Sequence, residues 1–287
     1  MERFKKFISK DKKANDGVIP NYVHGKHSEE VKNSKNDGIM PNYVHGKHSS
    51  TKKDIKESED QKEHSSIKDY EEHHKEFETR EHMDKDLGSH YDEHIALHPD
   101  VEHVKRYTSS SAGLNRSLLD QHNANTPLSD NYKKRSEGLS NAITSIPSHK
   151  EFHTYSGLGF DPRRHVDEHG HLHSPAFLSS SPDIHTASGF AYPISDVHGT
   201  KTFSDREDAV HHILKIKVPK GSTHGAYVNG SSNLGRHSVG EHGTGELEYI
   251  ANKGTTYKVN PKPTIIKNED GKVTHMIHHA DIIDGGK

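Results

Sequence analysis

An α+β domain behind a long, charged N-terminal arm is what the amino-acid sequence predicts, and three observations carry that prediction. First, charge is unevenly spread. Residues 1–107 hold 20 Lys+Arg and 23 Asp+Glu, about 40% of the segment, whereas the remaining 180 residues hold 19 of each, about 21%, which is ordinary for a globular domain. Second, only 28% of the 287 residues are hydrophobic, too few for the whole chain to bury one core. Third, from Tyr107 onward helix-spaced apolar residues come first and short strand-like runs follow, the element order of an α+β fold.

Residues 1–100 are read as the arm and 101–287 as the folded, catalytic domain. The arm contains an internal repeat. Asn15–Ser28 reads NDGVIPNYVHGKHS and Asn36–Ser49 reads NDGIMPNYVHGKHS, at an offset of 21 residues with 12 of 14 positions identical. Two copies are too few for a solenoid, and each carries Asp-Gly and a Pro, which are turn signals. The repeat reads as a duplicated linker, or as a docking or packaging motif whose Tyr22/Tyr43 and Val23/Val44 gain avidity from being presented twice. From Lys52 to about His98 the chain is rich in Lys, Glu, Asp and His. Ile55, Ile67, Tyr70, Phe77 and Leu87 are too scattered for an apolar stripe, so this stretch is expected to be a solvated, partly helical linker. Deleting residues 1–100 is then expected to leave activity in solution near normal.

In the second part, Leu114, Leu118 and Leu119 predict one helix. Leu139, Ala142, Ile143 and Ile146 predict another, ending at Pro147. Strand-like runs follow at Phe152–Tyr155, Ala176–Ser179, Ile213–Val218, Leu247–Ala251, Thr255–Val259, Thr264–Ile266 and Val273–Ile277. Ile213-Leu-Lys-Ile-Lys-Val218 alternates as a half-buried strand does.

Composition also excludes whole classes of function. With no cysteine, disulfide frameworks, Cys-based zinc sites and thiol nucleophiles are out. The apolar runs are too short to cross a membrane, and the polar start carries no secretory apolar region. A net charge of −3 with His neutral gives no reason to expect a nucleic-acid partner.

Three pieces of the second part belong together. They are Phe177-Leu-Ser-Ser-Ser181 with Ala187 and Phe190-Ala191 after it; Ile213-Leu-Lys-Ile-Lys-Val-Pro-Lys-Gly221; and Gly245-Glu-Leu-Glu-Tyr-Ile250 followed by Gly254-Thr-Thr-Tyr-Lys-Val259. In this order and spacing the sequence resembles the toxin-type mono-ADP-ribosyltransferases, and particularly their phage branch, the Alt and Mod enzymes, from about Tyr107 to the C-terminus. That resemblance implies a split β-sandwich of two small antiparallel sheets with flanking helices. It also implies NAD as the substrate bound in the cleft between the sheets, and no metal. The implied activity is transfer of ADP-ribose to arginine side chains of a bacterial host protein, such as RNA polymerase or a translation protein, with release of nicotinamide. A phage enzyme would travel in the virion into host cytoplasm; a bacterial one would be cytoplasmic or a delivered effector.

The chemistry gives the matched residues work. Breaking the nicotinamide–ribose bond passes through a transition state with positive charge on the sugar, as in glycoside cleavage. A carboxylate bound to the ribose hydroxyls and facing that charge stabilises it more than the ground state. By resemblance this is Glu248, with Glu246 orienting and helping to deprotonate the acceptor. Alternation along a strand would place both on one side. The resemblance, in which a glutamate at the first position goes with arginine acceptors, implies an arginine acceptor here. Ser179 takes the place of the serine that holds the catalytic glutamate, with Ser180 where threonine is usual and Ser181 completing the strand. Phe190 matches a position near the nicotinamide.

One motif departs. The family strand reads Tyr-Arg-Gly, its arginine gripping the phosphates; here Tyr155-Ser156-Gly157 puts a serine there. Arg163 and Arg164, or Arg116 from the first helix, are the candidates to replace the missing charge. His165, His169, His171 and His173 crowd one loop, but a chain with 29 His clusters them without selection, and there is no His-Glu-x-x-His helix, so no metal is expected. The alternatives are a catalytically silent virion structural or carrier protein, favoured by Ser156 and opposed by the two glutamates, and a histidine-rich metal buffer.

Overall fold

The computed structural model describes residues 63–191, 210–232 and 245–283; the tandem repeat falls outside them. Five helices come first: α1 (Ile67–His74), α2 (Arg80–Leu97), α3 (Val101–Ser109), α4 (Ala112–Ala124) and α5 (Asp130–Ile143). Side chains of Ser66, Thr79 and Ser129 accept from backbone N–H groups of α1, α2 and α5 respectively, each such cap worth about 1 kcal/mol. Strands β1 (Phe152–Leu158), β2 (His171–His173) and β3 (Leu178–Ser180) follow. Next come the short helix α6 (Ile184–Ser188) and strands β4 (His211–Val218), β5 (Gly225–Tyr227), β6 (Tyr249–Ala251), β7 (Thr256–Val259), β8 (Thr264–Lys267) and β9 (Val273–Ile283).

Two sheets result. The larger runs β1-β4-β9-β7-β2 with β8 also on β9; the smaller is β3-β6-β5. The split sandwich expected from the resemblance is present, with one difference. The larger sheet is mixed, because β4 and β9 are parallel. The sheets meet where Tyr155 and Ser181 exchange backbone hydrogen bonds of 2.7 and 2.8 Å, which brings β1 beside the serine strand.

Strand β4 is covered on both faces. Leu214, Ile216 and Val218 join the main core, together with residues of α2–α5 and of both sheets. Ile213 joins a second core with Tyr70, Tyr155, Ile184, Ala187, Ile266 and Ile277, beneath α1 and α6. Helix α6 can lie this close because position 157 is glycine: a Cβ there would stand 2.4 Å from the Ala187 carbonyl oxygen.

The packing corrects the linker reading upstream of residue 101. On α2, Met83, Leu87, Tyr91 and Ile95 are all buried in the main core. On α1, Tyr70 is fully buried in the second. Each such side chain stabilises by roughly 1.5–3 kcal/mol, so residues 67–97 belong to the folded body. The second predicted helix ends at Ile143 rather than at Pro147. Its remaining apolar residue, Ile146, is buried from the turn that follows.

Candidate active site

Glu248 stands just before β6 and is 7% exposed. Its carboxyl titrates at about 7, first because burial disfavours the charged form, then because Glu246 is close enough to repel it, with Ser179 offsetting part of the rise. One oxygen, Oε2, is buried with no hydrogen-bond partner. Glu246 is half-buried, and burial raises its carboxyl too.

The expectation that strand alternation aligns the two glutamates is corrected. Strand β6 begins only at Tyr249, and Leu247 between them is left-handed, with φ of 54°. That conformation costs a non-glycine residue roughly 1–2 kcal/mol, and the surroundings hold it. The Leu247 side chain is fully buried, and its N–H donates to Asn229 Oδ1 at 3.1 Å. Asn229 in turn donates to Asp84 Oδ1 at 2.9 Å, and the Tyr227 hydroxyl donates to the same oxygen at 2.7 Å. The turn, rather than the pleat, brings Glu246 to Glu248.

The residue before the pair is fixed from another side. Arg80, at the start of α2, donates to the Gly245 carbonyl at 2.6 Å and to Thr186 Oγ1 at 3.0 Å, and pairs with the Asp183 carboxylate. Ser181 Oγ donates to the Glu246 carbonyl at 2.9 Å. Helix α2 therefore holds the Glu-x-Glu turn at Gly245 through Arg80 and at Leu247 through Asp84 and Asn229.

Ser179 lies in β3 opposite Ile250 of β6. Its hydroxyl donates to the Tyr107 hydroxyl at 3.3 Å, and Asn115 Nδ2 donates to that same oxygen at 3.1 Å and to the Phe177 carbonyl at 3.1 Å. Tyr107 is buried, and burial and the nearby Glu248 both push its hydroxyl above the ordinary tyrosine value. Helices α3 and α4 thus close on Ser179 and Glu248. Ser180 is buried with its hydroxyl on the Tyr249 carbonyl, at 3.2 Å.

The structure gathers Glu248, Glu246, Ser179, Ser180 and Ser181, and places the others apart from the carboxylates. Tyr155 faces the second core. Ser156 is 3% exposed and its hydroxyl donates to the Ser179 carbonyl at 2.9 Å, so it braces the serine strand from β1. Arg163 is held bidentately by Asp161, at 3.0 and 2.7 Å, in the 3-10 turn Pro162–Arg164. Arg164 is exposed at the end of that turn. Phe190 is 46% exposed after α6. Tyr107, Asn115, Arg80, Asp84 and Asn229 have places in the site that sequence reasoning missed. The signals were slight: a polar Asn115 among leucines, and an Asp84 one position from an apolar row.

Among the described residues no helix is long and apolar enough to cross a membrane. No curated protein matches the sequence. Among solved structures, a C3-type ADP-ribosyltransferase of Clostridium botulinum is similar at 16% identity and a TM-score of 0.51, covering 73% of this chain and 98% of its own. An ADP-ribosyltransferase toxin of Paenibacillus larvae is similar at 17% identity and 0.49, over 71% and 96%. A C3-type protein of S. aureus, solved with NAD, is similar at 14% identity and 0.48, over 70% and 94%. These are bacterial proteins, and the phage branch of the resemblance is not shown by them. At 16% identity the likeness to the Clostridium botulinum protein shows the fold alone, and the family itself is established by a model of the ADP-ribosyltransferase exoenzymes that matches residues 86–283. That span takes in α3 and α4, the serine strand and the paired glutamates, and the chain belongs to the ADP-ribosyltransferase exoenzyme family.

Proposed function

We propose that this protein transfers ADP-ribose from NAD to arginine side chains of a target protein and releases nicotinamide. One observation carries the reading: an enclosed carboxylate, Glu248, with an oxygen that lacks a partner and a second carboxylate beside it. A buried acceptor without a donor is costly, and a ribose hydroxyl would satisfy it. Ionised, the same group would stabilise the positive sugar of the transition state. Glu246 is the base for the acceptor, and a glutamate there, by the family pattern, goes with arginine. An arginine-bearing host protein, phage-encoded delivery and a docking role for the repeat belong to the same proposal.

For the NAD phosphates, Ser156 supplies no charge and Arg163 is already paired with Asp161. Arg116 is the better candidate. It is exposed on α4, one residue from Asn115, whose amide bonds the Tyr107–Ser179 pair. Arg116→Ala is expected to raise KM for NAD about tenfold with kcat little changed. Ser156 favours a second reading, a silent carrier domain that no longer binds NAD.

The test is incubation of the purified protein with labelled NAD and a bacterial lysate, with mass spectrometry of the labelled peptides. ADP-ribose on arginine supports the proposal. Modification of asparagine would overturn the acceptor assignment, and no transfer and no nicotinamide release would select the silent reading.

A further inference from the structure

Three groups of His and Asp side chains among the described residues place their ligand atoms within 4.8 Å of one another: His64/Asp69/His73, Asp161/His212/His278 and Asp167/His171/His173. They differ in what the carboxylate is doing. Both oxygens of Asp161 already bind the Arg163 guanidinium, so a cation occupies that position. In the Asp69 group, Oδ2 faces His64 and takes the Ser65 N–H, while Oδ1 faces His73; the two imidazoles do not converge on one oxygen. The Asp167 group is arranged otherwise.

Asp167 Oδ1 accepts two backbone N–H groups, from His169 at 2.8 Å and His171 at 2.9 Å. That fixes the carboxylate and leaves Oδ2 as the working oxygen. Oδ2 lies 3.2 Å from His173 Nε2 and 3.6 Å from His171 Nδ1. A tetrahedral ion with bonds of about 2.0–2.1 Å holds its ligand atoms about 3.3 Å apart. His171 and His173 are alternate residues of β2, so both lie on one side of the strand while Leu172 between them is buried in the core. On the far side of the His173 ring, Nδ1 is 3.0 Å from Thr256 Oγ1 on β7. With Nδ1 donating there, the lone pair of Nε2 faces Asp167. An outer partner that fixes the tautomer is characteristic of metal-binding histidines. The turn is braced as well: Asp167 N–H donates to the His171 carbonyl and Gly170 N–H to the Asp167 carbonyl. Gly170 has φ of 79°, a conformation that favours glycine.

We propose that Asp167, His171 and His173 form a site for a divalent transition cation of the zinc class, with the remaining coordination positions open to water. The ion clips the turn at 167–170 to the three-residue edge strand β2, and through His173 and Thr256 to β7. This departs from the expectation of no metal. It also narrows the crowded histidine loop to two of its four members, since His165 instead packs edge-on against Phe160.

The test is zinc titration of the full chain against a chelating indicator, with metal-free protein. One equivalent is expected to bind at micromolar or tighter concentration and to raise Tm. Asp167→Asn, His171→Ala and His173→Ala should each weaken that equivalent at least tenfold and lose the zinc-induced rise in Tm above the variant's own metal-free curve. Thr256→Val, which touches no ligand atom, should weaken it roughly ten- to a hundredfold. The proposal is overturned if the tight equivalent survives these substitutions, if it is lost only on substitution of histidines elsewhere in the chain, or if binding is weaker than micromolar.

Discussion

Asp84 and Leu247, far apart in the sequence, are joined by a single side chain. Asn229 donates to the Asp84 carboxylate and accepts from the Leu247 N–H. Through this link a helix rich in charge fixes the left-handed residue that sets Glu246 beside Glu248. The geometry of the carboxylates therefore depends on a segment that composition alone assigns to a linker.

Asn229→Ala should break the link. It strands the Leu247 N–H and removes a donor to a buried carboxylate, each costing roughly 1–3 kcal/mol. A lower midpoint in urea and a fall in kcat larger than any change in KM are expected. A variant with wild-type kcat would detach the link from catalysis.

The arm is expected to divide at about residue 63 rather than at 100. Removing 1–62 touches none of the contacts described and should leave solution activity near normal. Removing 1–100 deletes Tyr70, Met83, Leu87, Tyr91 and Ile95 from the cores and Arg80 from Gly245, so it should yield unfolded, inactive protein. Circular dichroism beside the transfer assay checks both.

The pH dependence follows from Glu248. Its carboxyl ionises at about 7 in the folded protein against 4.5 ordinarily. The folded state thus binds the extra proton, and this group's contribution to stability is full below about pH 4.5 and is lost as pH rises through 7. The loss amounts to about 3 kcal/mol. Glu248→Gln should lack it, so urea unfolding at pH 5 and at pH 8 should show the variant gaining relative to wild type at the higher pH. The transfer reaction needs the ionised form, so kcat/KM for NAD should rise through about pH 7. Glu246→Gln removes the repelling neighbour and should move that rise to lower pH; an unmoved profile would separate the two carboxyls.

Tyr107→Phe tests the wall opposite. It takes the hydroxyl that accepts from both Ser179 and Asn115. A stability loss of about 1 kcal/mol and a several-fold drop in kcat are expected. Denaturation and steady-state assays read the two effects separately.

Much of this was legible in the residues. Leu114, Leu118, Leu119, Leu139, Ala142 and Ile143 mark α4 and α5 because apolar side chains recur at helical spacing, and the Ile213–Val218 alternation falls in β4. Helix α2 was hidden because its core row, Met83, Leu87, Tyr91 and Ile95, offers one apolar residue per turn amid charges. Strands β2 and β5 span three residues each, too short for a period to show. The glutamate pair could be read because its order and spacing after the serine strand and the Ile213–Gly221 run carry the family resemblance. How they are aligned could not, because it depends on the left-handed Leu247 and on hydrogen bonds such as Asn229–Asp84 that span 145 positions.

The most direct test is the rate of nicotinamide release from saturating NAD, measured for the wild type and for folded Glu248→Gln side by side. Loss of transition-state stabilisation by the buried carboxylate predicts a rate at least about a hundredfold lower in the variant, with NAD affinity little changed. Rates within a few-fold of each other would contradict the assignment of the sugar cation to Glu248.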